Sequence, residues 1–284
     1  RSTLFPYTTL FRSVKFQLTA TQLKNYTSAI NVTDSSYNAT GLMGNKDYYV
    51  YVRSVCSATD KSYWTWWRPV EFNTKPTIVS TPYYQDFTNG NITELSVFPG
   101  KKTRGNKWCI GSGIGNVGNS MYISKDGVAT EYGNIVSHTL SYITIDFDSS
   151  PKFEIHFDWI GKGESSYDFM RVYVVPDTLT LPTTWQRDKT RWITDSVALQ
   201  LGDKFNGKTE WTAFSDTLPA SYAGTRRKLV FMWFNDGGIA GSPTMAVDNI
   251  YVGGYECNSP SRFVVDTFTR DSRSEEHTSE LQSR

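Results

Sequence analysis

Hydrophobic and polar residues alternate along several short segments of this chain, with the period of two that is typical of β-strands. The clearest segment is 153–159, where Phe153, Ile155, Phe157 and Trp159 alternate with ionisable residues. We expect these four apolar side chains to face a core. Further alternating or apolar segments predict strands at 48–53, 70–74, 121–124, 170–175, 229–234 and 246–252.

Helical patterns are nearly absent, since no stretch of three turns places apolar residues at the i, i+3, i+4 and i+7 positions. Short strands separated by Gly and Asn predict an all-β protein, built as a two-sheet sandwich or jelly roll. Lys75, Pro76 and Thr77 form a predicted linker, because proline cannot extend the preceding strand's hydrogen bonding. We therefore expect one domain at 14–76 and a larger one at 77–256.

The two ends of the chain have a different character. The runs at 1–13 (RSTLFPYTTLFRS) and 273–284 (RSEEHTSELQSR) resemble translated sequencing adapters. Such runs are excluded from fold reasoning in the same way as an expression tag. The interpretation is that 14–272 is a natural fragment whose own termini are missing, with 257–272 opening a further domain.

Composition narrows the possible partners. The 284 residues carry a formal net charge of +1 and no long charged block, so nothing predicts nucleic-acid or anionic-membrane binding. No run approaches the roughly 18 apolar residues of a membrane span.

Three cysteines, Cys56, Cys109 and Cys257, are an odd number for an oxidising compartment, either because partners have been cut away or because the thiols are reduced.

Signatures of catalysis are weak. The run 113–118 has the form GxGxxG, but a strand follows it where a dinucleotide site needs a helix, so the glycines predict a β-turn. No HExxH, paired CxxC or GxSxG motif occurs.

The carboxylates Asp158, Glu164 and Asp168 cluster in sequence and are either a glycosidase pair or surface turn residues or ligands. His156 shares a strand face with Glu154 and Asp158. These three residues are either a row of groups able to bind a metal or, more simply, the polar residues of a solvent-exposed face.

Tryptophans offer candidate ligand contacts. Trp185, Trp192 and Trp211 lie in a polar stretch between strong strands, and their flat apolar faces could stack on sugar rings or anchor a protein interface. The alternative for each of the three is packing within the domain. Trp233 lies in an apolar strand and is expected in the core.

The first domain carries a specific pattern: Gly41-Leu42, Tyr48-x-Val50-x-Val52-Arg53, Ser62-Tyr63-Trp64-Thr65-Trp66 and Val70-x-Phe72-x-Thr74. It resembles the C-terminal half of a fibronectin type III domain, and the spacing of Leu42 and Tyr48 matches that family's tyrosine corner. The run at 257–260 followed by 263–265 resembles the start of another copy. That resemblance implies that Cys56 and Cys257 belong to different copies and have each lost a partner.

The larger domain contains an ordered set of short motifs: Tyr84-Gln85-Asp86-Phe87, residues 118–124, Phe157-Asp158-Trp159, Gly163-Glu164, residues 168–173, Trp233-x-Asn235-Asp236 and Val247-Asp248-Asn249-Ile250. In this order they resemble the jelly-roll modules of Bacteroidota surface proteins, the cleaved-adhesin or choice-of-anchor J domains, which are similar to MAM domains.

The resemblance to these jelly rolls implies a structural calcium ion where the first and last strands meet. It makes Asp86 and Asp248 the candidate ligands, although no DxDxDG loop supports them. The alternative for Asp248 is a hydrogen bond to the backbone at the Asp-Asn step.

These observations predict a non-catalytic adhesion or ligand-binding module of a secreted or cell-surface multidomain protein, with a host or matrix protein or a glycan as partner. Neighbouring domains of the same chain are further expected partners. The alternative is a carbohydrate-binding accessory module of a larger secreted protease or glycoside hydrolase. A structural spacer without a ligand is the third hypothesis.

Overall fold

The computed structural model describes residues 11–17, 29–34, 36–65, 69–90, 92–98, 105–181, 193 and 197–254. Within these ranges the chain forms sixteen β-strands and two short 3-10 helices, Ser112–Ile114 and Ala220–Tyr222, and no α-helix. The prediction of an all-β protein is confirmed. The strands are β1 (Phe11–Gln17), β2 (Ile30–Val32), β3 (Asp47–Val55), β4 (Val70–Asn73), β5 (Val79–Ser80), β6 (Tyr83–Gln85), β7 (Leu95–Phe98), β8 (Lys107–Gly111), β9 (Ser120–Ser124), β10 (Ser137–Asp146), β11 (Phe153–Gly161), β12 (Phe169–Pro176), β13 (Leu199–Phe205), β14 (Lys208–Leu218), β15 (Arg226–Asn235) and β16 (Ala246–Gly254).

Strands β5 to β16 form two six-stranded sheets that pack face to face. One sheet has the order β13-β12-β15-β10-β5, with β7 also on β10; the other has the order β14-β11-β16-β9-β8, with β6 also on β16. Neighbouring strands are antiparallel except for the short parallel pair of β10 and β5. This architecture confirms the predicted jelly-roll sandwich. No helix among the described residues is long and apolar enough to cross a membrane.

The core fills the space between the inner faces of the two sheets. All four alternating residues predicted from the 153–159 segment are buried, as is Trp233, which is fully inaccessible. Phe157 lies at the centre of an aromatic group, with ring centroids 4.9 Å from Phe214, 5.5 Å from Phe205 and 5.6 Å from Phe231. Aromatic rings at these separations contribute beyond their buried area, so this group is a main source of cohesion.

The first four strands form a separate sheet in the order β2-β1-β3-β4. Tyr48 is buried, and its hydroxyl accepts a hydrogen bond from the Met43 N–H at 2.7 Å, the backbone contact that the predicted tyrosine corner requires. β1 begins at Phe11 and so crosses the predicted boundary at Val14. The assignments of 1–13 to an adapter and of 14–76 to a fibronectin type III domain stay predictions.

Hydrogen bonds hold the predicted linker on both sides. The carbonyl of Lys75 accepts from the Asn45 N–H at 3.1 Å, and the Thr77 N–H donates to the Thr93 carbonyl at 3.0 Å. The Asn45 side-chain amide also donates to the Leu95 carbonyl at 2.5 Å. The linker backbone is therefore anchored to both the first sheet and the sandwich.

The described cysteines are unpaired with each other. Cys56 is exposed and Cys109 is half-buried, and both are free thiols. Cys257 lies outside the described residues, so its pairing stays a prediction.

Truncating Phe157 to alanine should reduce the free energy of unfolding by about 3–5 kcal/mol, because the surrounding rings cannot collapse fully into the space. Denaturant unfolding of the full chain measures this change. Tyr63→Ala is the control, since Tyr63 is 91% exposed and its truncation should change stability by less than about 0.5 kcal/mol. A loss below about 1 kcal/mol for Phe157→Ala would contradict the central role of the ring.

Candidate functional site

Asp86 and Asp248, the two predicted cation ligands, lie at a gap along one edge of β16. Residues 246–247 of this edge pair with β9, whereas residues 250–252 pair with β6. Asp86 directly follows Gln85, the last residue of β6, which pairs with the residue two positions after Asp248. The edge therefore changes partner at Asp248, and the fold brings the two carboxylates together there.

A β-bulge in β16 adds a third carboxylate to this gap. Against β11, His156 pairs with Tyr251 but Asp158 pairs with Asp248, so two residues of β16 lie opposite one residue of β11. Directly opposed residues project from the same face with Cβ atoms about 4.5–5.5 Å apart, where like charges destabilise the pair. Asp158 and Asp248 are therefore neighbours with unfavourable electrostatics.

Amide groups provide the nearest contacts to these carboxylates. The side-chain amides of Asn116 and Asn249 each donate to Asp158 Oδ2 at 2.8 Å. The Asn249 N–H donates to Asp248 Oδ1 at 2.8 Å, which is the backbone contact considered for the Asp-Asn step. The ion pairs found among the described residues, Lys125–Glu131, His156–Glu154 and Arg226–Asp146, involve other carboxylates.

Burial perturbs the ionisation of Asp248. The residue is 1% exposed, and its pKa is raised to about 6, mainly by burial and to a smaller extent by the charges of Asp158 and Asp86. The backbone N–H groups of Asn249 and Asn116 act in the opposite direction. Burial also raises the pKa of the adjacent Tyr84 hydroxyl, again with contributions from the three carboxylates. Negative charge is thus concentrated in the gap.

Backbone strain flanks the gap on both sides. Phe87 and Asn249 adopt φ values of 56° and 50°, the left-handed region that costs a non-glycine residue about 1 kcal/mol or more. Phe87 is held there by its N–H bond to Gln85 Oε1 at 2.6 Å and by the Asn119 amide, which donates to the Phe87 carbonyl at 3.1 Å. Strain maintained by specific contacts is a recognised mark of ligand-binding geometry.

The gap matches calcium in the chemistry of its oxygen atoms. Calcium takes six to eight oxygen ligands from carboxylates, amides and carbonyls, and Asp86, Asp158 and Asp248 supply carboxylates beside two asparagines. Yet no group of three or more His, Cys, Asp or Glu in the described part of the chain is arranged to hold a metal ion. The donor types and the uncompensated charge fit a hard cation, whereas the carboxylates are not gathered into a finished coordination set.

Of the predicted ligand-binding tryptophans, the structure describes Trp211. Trp211, on β14, is half-buried and packs against a small cluster formed by Tyr122, Ile160 and Ala246. Trp185 and Trp192 lie outside the described residues. The role proposed for the three tryptophans therefore stays a prediction.

A groove of about 490 Å³ lies on the outer side of the other sheet. Its floor contains Phe98, Leu140 and Tyr142, which belong to a hydrophobic cluster separate from the central core. Residues 177–181 form a wall. Its volume falls within the roughly 300–1,000 Å³ of typical ligand pockets.

Lys228 fixes the wall of this groove. Its ammonium group donates to the carbonyls of Asp177 at 2.5 Å and Leu179 at 2.8 Å. The same group lies 5.8 Å from the centroid of Tyr142. Burial lowers the pKa of Lys228. The exposed residues Thr178 and Thr180 add hydroxyl groups to the rim.

Two of the three candidate glycosidase carboxylates lie together, because hydrogen bonds through the Glu164 and Asp168 backbone join these two residues. Asp158 belongs to the gap, whereas Asp168 is 1% exposed and accepts hydrogen bonds from the Tyr132 hydroxyl at 2.7 Å and the Glu164 N–H at 3.2 Å. The Asp236 N–H is a third donor, at 3.3 Å. Burial raises the pKa of Asp168 despite these bonds. Its contacts join three loops, which supports a structural role over a paired catalytic one.

Two other motifs have structural explanations. A Cβ at Gly115 would lie 1.8 Å from the Gly118 carbonyl oxygen, so the glycine run forms a tight loop, and β9 follows it as predicted. His156 Nε2 lies 3.1 Å from Glu154 Oε1, and both side chains are partly exposed. This placement supports the solvent-face interpretation of the row.

Sequence reasoning missed the groove and the amides of the gap. Tyr142 and Lys228 meet only because β10 pairs with β15 in this register, and no local pattern encodes that contact. The sequence could have predicted that Asn249 lies at the gap, because an Asn directly after a candidate ligand in a strand is a signal of a bulge or turn.

Asparagine at position 248 should stabilise the protein in EDTA at pH 7.5 by about 2–3 kcal/mol, since a shift of about two pKa units corresponds to roughly that energy. The native pKa is raised, so the stabilisation from a protonated Asp248 is complete below pH 4 and is lost as pH rises through about 6. Chemical unfolding from pH 4 to 8 measures the difference.

The control is Asp203→Asn, which removes a charge at an exposed position on β13. Parallel pH curves for the wild type and Asp248→Asn would contradict the shifted pKa.

No protein-family model matches the chain, and no curated protein matches it in sequence. Similar solved structures include the K1 cleaved adhesin domain of Lys-gingipain from Porphyromonas gingivalis, with a TM-score of 0.41, 13% identity, and coverage of 62% of this chain and 99% of that domain. The CBM27-1 module of Caldicellulosiruptor saccharolyticus, solved with mannohexaose, has a TM-score of 0.38 and 12% identity over 62% of this chain and 98% of that module.

Another is the enzymatically active domain of tailspike protein 4 from bacteriophage CBA120, with a TM-score of 0.37 and 14% identity. That match covers 60% of this chain and only 20% of the tailspike chain. Likenesses this distant carry no argument about the function of this chain.

Proposed function

We propose that this chain is a non-catalytic binding module of a secreted or cell-surface protein, and that the groove over Tyr142 binds a glycan. The observation that carries this proposal is the combination of an aromatic floor with a polar wall. Sugar rings present apolar C–H faces and polar hydroxyl edges, so they need both kinds of surface in one groove.

The rigidity of the groove supports the same function. Tyr142 lies on β10, in the middle of the sheet, and Lys228 binds two carbonyls of the opposite wall. A site whose groups are held in place before binding loses less conformational entropy when the ligand arrives. Thr178 and Thr180 are exposed at the rim, where their hydroxyls can exchange water for sugar hydroxyl groups.

Adhesion and enzyme targeting are two uses of the same groove. In an adhesin the glycan belongs to a host or matrix surface, whereas in an accessory module it belongs to the substrate of a catalytic domain elsewhere in the parent protein. The groove is compatible with either use, and the domain content of the full-length gene would distinguish them.

Glycan-array screening of the full chain, followed by calorimetry, should identify an oligosaccharide whose affinity falls about five- to thirtyfold in Tyr142→Ala, since loss of an aromatic face costs about 1–2 kcal/mol. The control is Tyr63→Ala, which truncates an exposed tyrosine between β3 and β4. If Tyr142→Ala binds the glycan as tightly as the wild type, the groove is not the binding site. If the purified chain hydrolyses the glycan, the non-catalytic role is rejected.

We also propose that calcium binds at the gap on β16 through Asp86 and Asp248, with Asp158 beside them. The support is the buried carboxylate at Asp248 and the like charge opposite it, because a divalent cation would remove this repulsion. The ion would have a structural role, since it would join the end of β6 to β16.

Calcium should raise the melting temperature of the wild type at pH 7.5, and EDTA should reverse the change, because an ion bound only by the folded state stabilises it by mass action. In Asp86→Asn and Asp248→Asn the calcium-dependent increase should be lost, while Asp203→Asn should keep it. A melting temperature that is the same in calcium and in EDTA would reject the proposal of a calcium site. It would not affect the proposal that the Tyr142 groove binds a glycan.

A further inference from the structure

Three aromatic side chains form a row across the solvent face of the sheet that contains β11 and β16. Tyr84 on β6 pairs with Tyr251 on β16, and Tyr251 pairs with His156 on β11. Adjacent strands lie about 4.8 Å apart, so the three rings occupy successive positions along one line perpendicular to the strands. We call Tyr84, Tyr251 and His156 the aromatic row.

The rings of this row are accessible. Tyr84 is 51% exposed, and the side chain of His156 is 44% exposed. The ring centroids of His156 and Tyr251 lie 5.7 Å apart with an interplanar angle of 39°. The row therefore offers partly exposed aromatic rings on neighbouring strands to a ligand.

A glycine permits Tyr251 to lie along the sheet. A Cβ at Gly253 would come within 2.2 Å of the Tyr251 hydroxyl oxygen and 2.6 Å of the adjacent ring carbon. The phenol ring therefore occupies the space that a side chain at position 253 would need. Because any larger residue would displace the ring, Gly253 is the element that sets its orientation.

Carboxylates border the aromatic row on both sides. Glu154 contacts His156 and, with Asp148, raises the pKa of Tyr251 in addition to the effect of burial. At the other end, the Tyr84 hydroxyl donates to Asn249 Oδ1 at 2.9 Å, and the amide of the same asparagine donates to Asp158 Oδ2 at 2.8 Å. Asp86 lies two residues after Tyr84 in the chain.

Carboxylates outnumber the basic groups around the row: Glu154, Asp148, Asp86 and Asp158 lie beside its tyrosines, and its basic neighbours are His156 and Lys152. His156 is paired with Glu154. Lys152 precedes β11, near the end of the strand that carries Glu154, and has a partner of its own. A ligand complementary to the face combines a flat surface with positive charge.

Arginine has this combination of properties. Its guanidinium is planar, stacks on aromatic faces and forms paired hydrogen bonds with carboxylates. We propose that the aromatic row binds arginine side chains of a basic segment in a partner protein. A neutral glycan could use the ring faces and donate hydroxyl groups to the carboxylates, but it would gain no ion pairing from the bordering charges. This surface lies on the opposite sheet from the Tyr142 groove, so the two proposals are independent.

The experiment measures binding of fluorescent nona-arginine to the full chain by anisotropy in EDTA, at 50 and 300 mM NaCl. Tyr251→Ala and Glu154→Gln should each weaken binding by about three- to tenfold, the range expected for one cation–π contact or one charge. Higher salt should weaken binding to the wild type. Nona-lysine should bind less tightly than nona-arginine, and nona-glutamate should not bind.

Gly253→Ala is the sharpest variant, because it keeps every side chain of the row and changes only the position of Tyr251. It should lower the affinity about as much as Tyr251→Ala, with a circular dichroism spectrum like that of the wild type. Asp203→Asn removes one negative charge from the other sheet and should bind nona-arginine normally.

If Asp203→Asn and Glu154→Gln lower the affinity for nona-arginine equally, the binding is general charge attraction and the proposal is overturned. Wild-type affinity in both Tyr251→Ala and Gly253→Ala would also overturn it. Competition by a neutral oligosaccharide that is lost in Tyr251→Ala would assign the row to a glycan and overturn it. Failure of the Tyr142 groove to bind any glycan would not change these outcomes.

Discussion

The packing of alternating apolar side chains between two sheets is the constraint on which the rest of this structure depends. Phe157 and its aromatic neighbours join the inner faces of β11, β13, β14 and β15. Since successive side chains of a strand point to opposite sides, a residue that buries one face commits its two neighbours to the other. The positions of Glu154, His156 and Asp158 on the solvent face follow directly from the burial of the residues between them.

The last strand departs from this regular pattern, and the departure creates the candidate cation site. β16 pairs with two different strands along one edge and carries a bulge where they meet. The bulge sets Asp248 opposite Asp158 and buries a carboxylate without a basic partner among the observed ion pairs. A regular strand would have avoided this arrangement. The buried Asp248 carboxylate and the two left-handed residues beside it cost free energy, and a bound cation would offset this cost.

The two sheets have outer faces of different chemical character. One carries a groove with an apolar floor and a wall of hydroxyls and carbonyls, suited to a neutral ligand. The other carries aromatic rings bordered by carboxylates, suited to a cation. A module with two such faces can contact two partners at once, and effective concentration then strengthens the weaker contact.

The sequence by itself predicted the fold class, seven of the sixteen described strands and a few core residues, among them Phe157 and Trp233. The alternating strands were predictable because a period of two is a local property that burial enforces residue by residue. By resemblance it also made Asp86 and Asp248 candidate cation ligands, which stays a prediction, and the pairing of β6 with β16 places the two residues at the same gap. Only the tertiary structure decided the partners of each strand.

Asp158 opposite Asp248, Tyr142 beside Lys228, and the row of Tyr84, Tyr251 and His156 all depend on the register between strands distant in sequence. Register arises from the packing of the whole sandwich and from a single bulge, and neither is written in a short stretch of residues.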